Sequence, residues 1–165
     1  MRVTPGRAAL IAIIAVLVFG LDRVTKQLVS TRMVLGESHE VIGDVVRISY
    51  VRNTGAAFGL LPERTTLLSV LSVLAVAAIV YYYRFILARS PLVAATLGMQ
   101  LGGAIGNLVD RLGQGYVVDF VDVGIGGLRF WAFNVADSSI VLGILAVTLA
   151  LWREEQQQGS ARRTA

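Results

Sequence analysis

Residues 92–111 read LVAATLGMQLGGAIGNLVDR, and this stretch decides what kind of molecule the chain makes. From Leu92 to Val109 it is apolar and long enough to cross a bilayer as a helix, which takes about 20 residues with about 17 tolerated. Its end turns polar: Asn107, Asp110 and Arg111 crowd the last turn. A charge at membrane depth costs about 2.5 to 3.5 kcal/mol on insertion scales, so such residues pair, line a cavity or act. Working outward, residues 133–152 form a second segment that qualifies outright, residues 67–83 a borderline one and residues 8–21 a short one. The short one reaches spanning length if its helix runs on through Asp22 and Lys26 toward Val29, so the predicted spans are about 8–28, 67–83, 92–110 and 133–152.

Composition points the same way. Of 165 residues, 55% are hydrophobic and 16% charged, against about 25% charged in a soluble domain. The predicted fold is one polytopic membrane all-α domain over residues 1–165, with four transmembrane helices and a small extracytoplasmic β-rich region formed by the outer connections. A tail over residues 153–165, polar from Gln156 onward, is predicted to be disordered. Arg2 and Arg7 ahead of a 14-residue apolar run also fit a cleaved secretory signal, but no small-residue cleavage site follows, and the segment reads as a retained anchor.

Short basic flanks set orientation. Arg2 and Arg7, then Arg84 and Arg89, then Arg153, Arg162 and Arg163 place both termini and the second connection in the cytoplasm. Residues 22–66 hold six basic residues as well, but share them with five acidic ones across a long connection. Within it, residues 40–50 read EVIGDVVRISY, rich in Val and Ile and broken by Gly43, which predicts one or two short strands. Residues 116–123 and 128–133 flank a Gly-Ile-Gly-Gly turn and predict a hairpin or an extended loop. Both polar connections then lie outside.

Several chemistries are disfavoured at once. There is no cysteine, and His39, in a polar loop, is the single histidine, so thiol nucleophiles, zinc sites and a Ser-His-Asp triad all lack their parts. No metal and no cofactor is expected. The formal charge of +4 is scattered along membrane flanks, not gathered into a stripe, so no nucleic-acid partner is predicted. Carboxylates remain.

These polar residues gather at the ends of the apolar segments, and each has a plain alternative. Asp22 and Lys26 form an i, i+4 ion pair or meet a lipid headgroup. Gly102, Gly103 and Gly106 let another helix approach closely. Asn107 and Arg111 share a helical face, where they hold a carboxylate or finish the helix. Asn134 is a good N-cap with Asp137 at N3, where a carboxylate suits the helix dipole. Alternatively, Asp137 pairs with Asp119, since folding the last two spans side by side brings them together. Two carboxylates sharing a site hold one proton between them. The ionised one can act as general base toward a water, and the protonated one can hydrogen-bond the carbonyl under attack.

Five blocks carry a resemblance: LDRVTK at 21–26, VRNTGAAFG at 51–59, GGAIGNLVDR at 102–111, VVDF at 117–120 and FNVADS at 133–138. In this order, with these apolar spans, the chain resembles the lipoprotein signal peptidases, or signal peptidase II. The resemblance implies a multi-pass enzyme of the bacterial cytoplasmic (inner) membrane, an aspartic endopeptidase active near the outer leaflet. Its partners would be prolipoproteins, cut just before a diacylglyceryl-modified cysteine, together with membrane lipid and the inhibitor globomycin. Asp119 and Asp137 would be the catalytic pair. Asn53, Gly103, Asn107, Arg111 and Asn134 would line the site for substrate or inhibitor, with Asp22 and Lys26 beside it. Arg23 stands where the family commonly has glutamine, and Trp131-Ala132 where a proline is often found. The apolar stretch Gly55, Ala56, Ala57 and Phe58 is either a cover over bound substrate or a tight loop. A proton- or ion-coupled transporter using buried aspartates, and a scaffold using the glycine face, are the rivals.

Overall fold

Among the described residues of the computed structural model, 5–55, 64–86 and 90–163, four helices and four strands follow one another along the chain. They are α1 (Pro5–Arg32), β1 (Ser38–Ile42), β2 (Val46–Asn53), α2 (Thr65–Ile86), α3 (Pro91–Gln114), β3 (Val117–Ile125), β4 (Leu128–Arg129) and α4 (Val135–Arg163). Helix α1 runs on through Asp22 and Lys26, as predicted. Helix α4 exceeds the prediction: it was expected to end at residue 152 before a disordered tail, and it continues to Arg163. The tail begins with Arg, Glu and Gln, good helix formers into which an established helix propagates at little cost.

Three helical segments among the described residues are long and apolar enough to cross a membrane: α1, α3 and Val135–Arg153 of α4. The fourth expected span is a helix too, α2, but its apolar stretch, Thr65–Tyr81, is shorter than the other three. Outward-facing Ile13, Leu17, Leu74, Leu142 and Leu145 are more than half exposed, an apolar exterior suited to lipid.

Helix α3 lies at the centre, packed on α1, α2 and α4. Its start is set by Ser90, whose hydroxyl accepts from the Val93 N–H at 3.3 Å, and by Pro91, whose missing N–H costs nothing in the first turn. Its end is set by Gly115 at φ 79°, whose N–H closes on the Arg111 carbonyl at 3.2 Å. Between them the glycines admit the neighbouring backbones. A Cβ on Gly102 would stand 2.5 Å from the Ala15 carbonyl oxygen, and one on Gly98 2.8 Å from that of Ile11. The structural role predicted for this face is the one found. The bundle is polarised along its length: Ile11, Val93, Ala94, Leu97 and Ala150 make an apolar core near the start of α3, whereas Asn107 and Asp110 are buried near its finish.

At that polar finish sits an antiparallel sheet of order β1-β2-β3-β4. The strands predicted within residues 40–50 are β1 and β2, with Gly43 at φ 48° in the turn between them. The Gly-Ile-Gly-Gly turn joins β3 to β4 as a hairpin. Strand β2 carries a register shift between Ile48 and Val51, and the adjacent Ser49 and Tyr50 are both buried there. Along β3 the side chains alternate: Val118 and Phe120 pack with Val29 and Tyr50 under the sheet, while Val117 and Asp119 face a cavity.

Candidate active site

Asp119 reaches the cavity because of the return path after the hairpin. Phe133 lies back against β3, its carbonyl accepting from the N–H groups of Phe120 and Val121 at 3.0 and 2.8 Å, and its own N–H donating to Val121 at 3.0 Å. That bridge delivers Asn134, wholly buried, to the side of Asp119 and starts α4 there.

Asn134 performs two tasks. Its Oδ1 accepts from the Asp137 N–H at 2.9 Å, and the Asp137 carboxylate accepts from the Asn134 N–H at 3.3 Å, a reciprocal helix cap. Its Nδ2 donates to Asp119 Oδ1 at 2.7 Å. One side chain thus caps the helix that carries Asp137 and holds Asp119. Asp119 Oδ2 accepts from Asn53 Nδ2 at 2.8 Å, and Asp137 Oδ1 from Asn107 Nδ2 at 2.7 Å. Asn53 can reach because β2 pairs it with Val117, on the same face of the sheet as Asp119.

Both carboxylates line one cavity of about 580 Å3, with Asn53, Asn107 and Arg111 beside them and Trp131, Phe133, Ile140, Val141 and Leu142 forming an apolar flank. A smaller cavity of about 160 Å3 adjoins it along residues 51–55 and shares Asn53, Asp119, Trp131 and Ala132. The carboxyl of Asp119 is pushed up to about 7, first by burial and then by the charge of Asp137, against the hydrogen bonds from Asn53 and Asn134. Burial therefore outweighs two favourable hydrogen bonds, because amide donors compensate a charge only in part.

The other expected site residues fall in three places. Arg111 lines the cavity and donates to the Gly55 carbonyl at 3.4 Å, while its own carbonyl receives the helix-ending N–H of Gly115. Gly103 does not face the cavity; it lies against Ala136 and Ser139, where α3 meets α4. Asp22 and Lys26 sit behind Asn107, joined to each other at 2.7 Å, so the predicted i, i+4 pair forms, buried among the helices. Asp122 lies further along β3, outside the cavity lining, and is held by Arg129 Nε at 2.8 and 2.9 Å. Ala56, Ala57 and Phe58, considered as a cover, lie outside the described residues. Asp110 was given no role from sequence, yet it is buried and paired with Lys26 at 2.8 Å and with Arg23. An aspartate ending an apolar helix was signal enough to single it out.

Among the described residues no cluster of three or more His, Asp or Glu side chains is placed to hold a metal ion. The arrangement offers two carboxylates, amide donors and one guanidinium around an apolar cleft, which suits acid–base work on a peptide carbonyl.

Comparison with known proteins gives one consistent result. A lipoprotein signal peptidase of Halothermothrix orenii is 41% identical over 89% of this chain and 98% of its own length. That of Moorella thermoacetica is 40% identical over 89% and 95%, and that of Staphylococcus aureus 36% over 86% and 87%. Two bacterial membrane enzymes solved by the in meso method share the fold. The 2.3 Å structure superposes with a TM-score of 0.78 at 34% identity, covering 88% of each chain. The 1.9 Å structure gives 0.73 at 36%, covering 84% of this chain and 90% of its own. None of these relatives favours the transporter or scaffold alternative. The sequence model described as signal peptidase (SPase) II matches residues 14–153, and with these blocks, helices and buried carboxylates in place, the chain belongs to the signal peptidase II family.

Proposed function

We propose that Asp119 and Asp137 are the catalytic pair with which this bacterial membrane peptidase removes signal peptides from prolipoproteins, by aspartic chemistry. Removal of the signal peptide is the work of its family. The observation that carries the aspartic assignment is that both carboxylates lie on one cavity and are held by amides, not by paired cations. Amides fix geometry and leave a proton free to move.

The proton of the pair is assigned to Asp119, whose carboxyl is pushed up to about 7, and the part of base to Asp137. Asp137 takes a proton from a water as that water attacks the scissile carbonyl carbon. Asp119 donates its hydrogen bond to the carbonyl oxygen, where negative charge gathers. As the tetrahedral intermediate collapses, a proton from the pair passes to the leaving nitrogen. Arg111, on the same wall, faces the charge that develops.

The apolar flank along Ile140, Val141 and Leu142 opens on the exposed, lipid-facing side of α4. A diacylglyceryl group on the cysteine after the scissile bond can stay in the bilayer and still bring that bond to Asp119 and Asp137. This supports cleavage before the lipid-modified cysteine and occupation of the same cleft by globomycin. The sheet and the polar finish of α3 then lie at the outer leaflet, α2 serves as the fourth span, and both termini are cytoplasmic.

A gel-shift cleavage assay tests this with purified protein in detergent and a diacylglyceryl-modified prolipoprotein. The parent should cut, and Asp119→Asn and Asp137→Asn should each lose at least about a thousandfold in rate while still inserting and folding. An active Asp137→Asn enzyme removes the pair from the mechanism.

A further inference from the structure

Behind the amide that holds Asp137 lies a group of charges that the proposed reaction leaves unused. Lys26 Nζ stands 2.7 Å from Asp22 Oδ2, 2.8 Å from Asp110 Oδ2 and 2.8 Å from Asn107 Oδ1, with 3% of the side chain exposed. The contact with Asn107 is a hydrogen bond, and the two carboxylates meet the ammonium as ion pairs. Asp110 Oδ1 is paired with Arg23, which approaches from a flank where it is 40% exposed. Asp22 Oδ1 accepts the Ala136 N–H at 2.9 Å, in the first turn of α4. Two carboxylates and two cations balance, which is what lets such a group persist in a buried place.

An ammonium has only donors, so it can face the oxygen of an amide and not its NH2. Contact with Lys26, with a longer donation from Asn134 Nδ2 at 3.4 Å beside it, therefore sets which way Asn107 points: Oδ1 toward Nζ, and Nδ2 toward Asp137 Oδ1 at 2.7 Å. Reversed, the amide would set its oxygen against a carboxylate oxygen. We propose that Lys26 is a positioning residue for peptide cleavage, fixing through Asn107 the carboxylate that activates the water. The proposal rests on Asp137 being half of the catalytic pair. The same cluster sets the height of that carboxylate, because Asp22 ties the N-terminus of α4 to α1. Lys26 touches no cavity-lining atom of Asp119 or Asp137, so its part is exerted at one remove.

Lys26→Met alone would strand two buried carboxylates, so the test uses the charge-balanced Lys26→Met/Asp22→Asn enzyme. The introduced amide still offers an oxygen to Ala136, and Arg23 still answers Asp110. Cleavage of a diacylglyceryl-modified prolipoprotein peptide in detergent is measured across pH, with Asp22→Asn and Asp137→Asn beside it. In the folded double variant, kcat should fall about ten- to a hundredfold, the worth of one hydrogen bond to a charged group, with KM unchanged. The fall should exceed that of Asp22→Asn. The pH profile adds a readout that a merely structural role would not move. Asp119 is faced by Asn53 from β2 and Asn134 at the head of α4, and by the charges of Asp137, Arg111 and Lys26 from α4, α3 and α1. Loss of the Lys26 charge should carry the alkaline limb of activity to higher pH. A folded double variant with parental kcat and an unmoved limb overturns the proposal, as does a loss no greater than that of Asp22→Asn. Activity in Asp137→Asn would instead sink the dyad, and this proposal with it, whatever Lys26 does.

Discussion

Two pairs of aspartates lie on either side of Asn107, and they are held in opposite ways. Asp22 and Asp110 are matched by Lys26 and Arg23, charge for charge. Asp119 and Asp137 are matched by Asn53, Asn107 and Asn134, dipoles without charge, with a guanidinium lining the same cavity. A carboxylate answered by a cation fastens helices together. Held by amides in a dry cleft, a carboxylate keeps its geometry while its proton stays within reach of ordinary pH. One pair is suited to structure and the other to chemistry, though both are aspartates at the polar ends of the same helices.

The sharpest way to break this contrast is to neutralise one member of each pair. Asp119→Asn and Asp137→Asn should abolish cleavage and still unfold near the parental temperature in detergent. Asp110→Asn should do the reverse. It leaves the buried Lys26 without its full counter-charge, at about 3 kcal/mol or more in stability, and the protein that remains folded should still cut. Thermal unfolding and cleavage on the same preparations check both. If Asp110→Asn kills activity without loosening the fold, the division of labour is mistaken.

A smaller effect follows from pH. The folded-state value of Asp119, about 7, lies above its ordinary 3.8, so the native protein binds that proton more tightly than the unfolded chain does. The stability this contributes is complete below about pH 4 and is lost as pH rises through about 7. Activity should follow, falling about tenfold per pH unit on the alkaline side once Asp119 has lost its proton. Asp119→Asn should remove that pH dependence from the unfolding curve, whereas Asp110→Asn should leave it in place.

Smallest of all is the change at Asp122. It lies three residues from Asp119 but outside the cavity lining, in a partly exposed pair with Arg129. Asp122→Asn should cost under about 1 kcal/mol and leave the cleavage rate near that of the parent. A large loss of rate would mean that the chemistry extends along β3 beyond the cavity.

Much of this was legible beforehand because it is local. Hydropathy marks apolar helices without reference to partners, and a Gly-Ile-Gly-Gly turn between β-rich runs marks the hairpin. The glycine face of α3 announced close packing for the same reason. Where prediction fell short, the missing information was nonlocal or cumulative. A polar tail looks disordered until an apolar helix runs into it and continues to Arg163.

The sequence by itself determined which segments are apolar, that charges collect where those segments end, that thiol chemistry is absent and, by its blocks, which family to expect. Only the tertiary structure decided how the charges are shared out. That Asn134 both caps α4 and holds Asp119, 15 residues away, depends on the Phe133 bridge to β3. That Lys26 lies 81 residues from the amide it orients depends on α1 and α3 packing through glycines. Helical and strand periods are written in neighbouring residues. The pairing of one buried carboxylate with a cation and another with an amide is set by which helix ends and strand faces the folded chain brings within 3 Å.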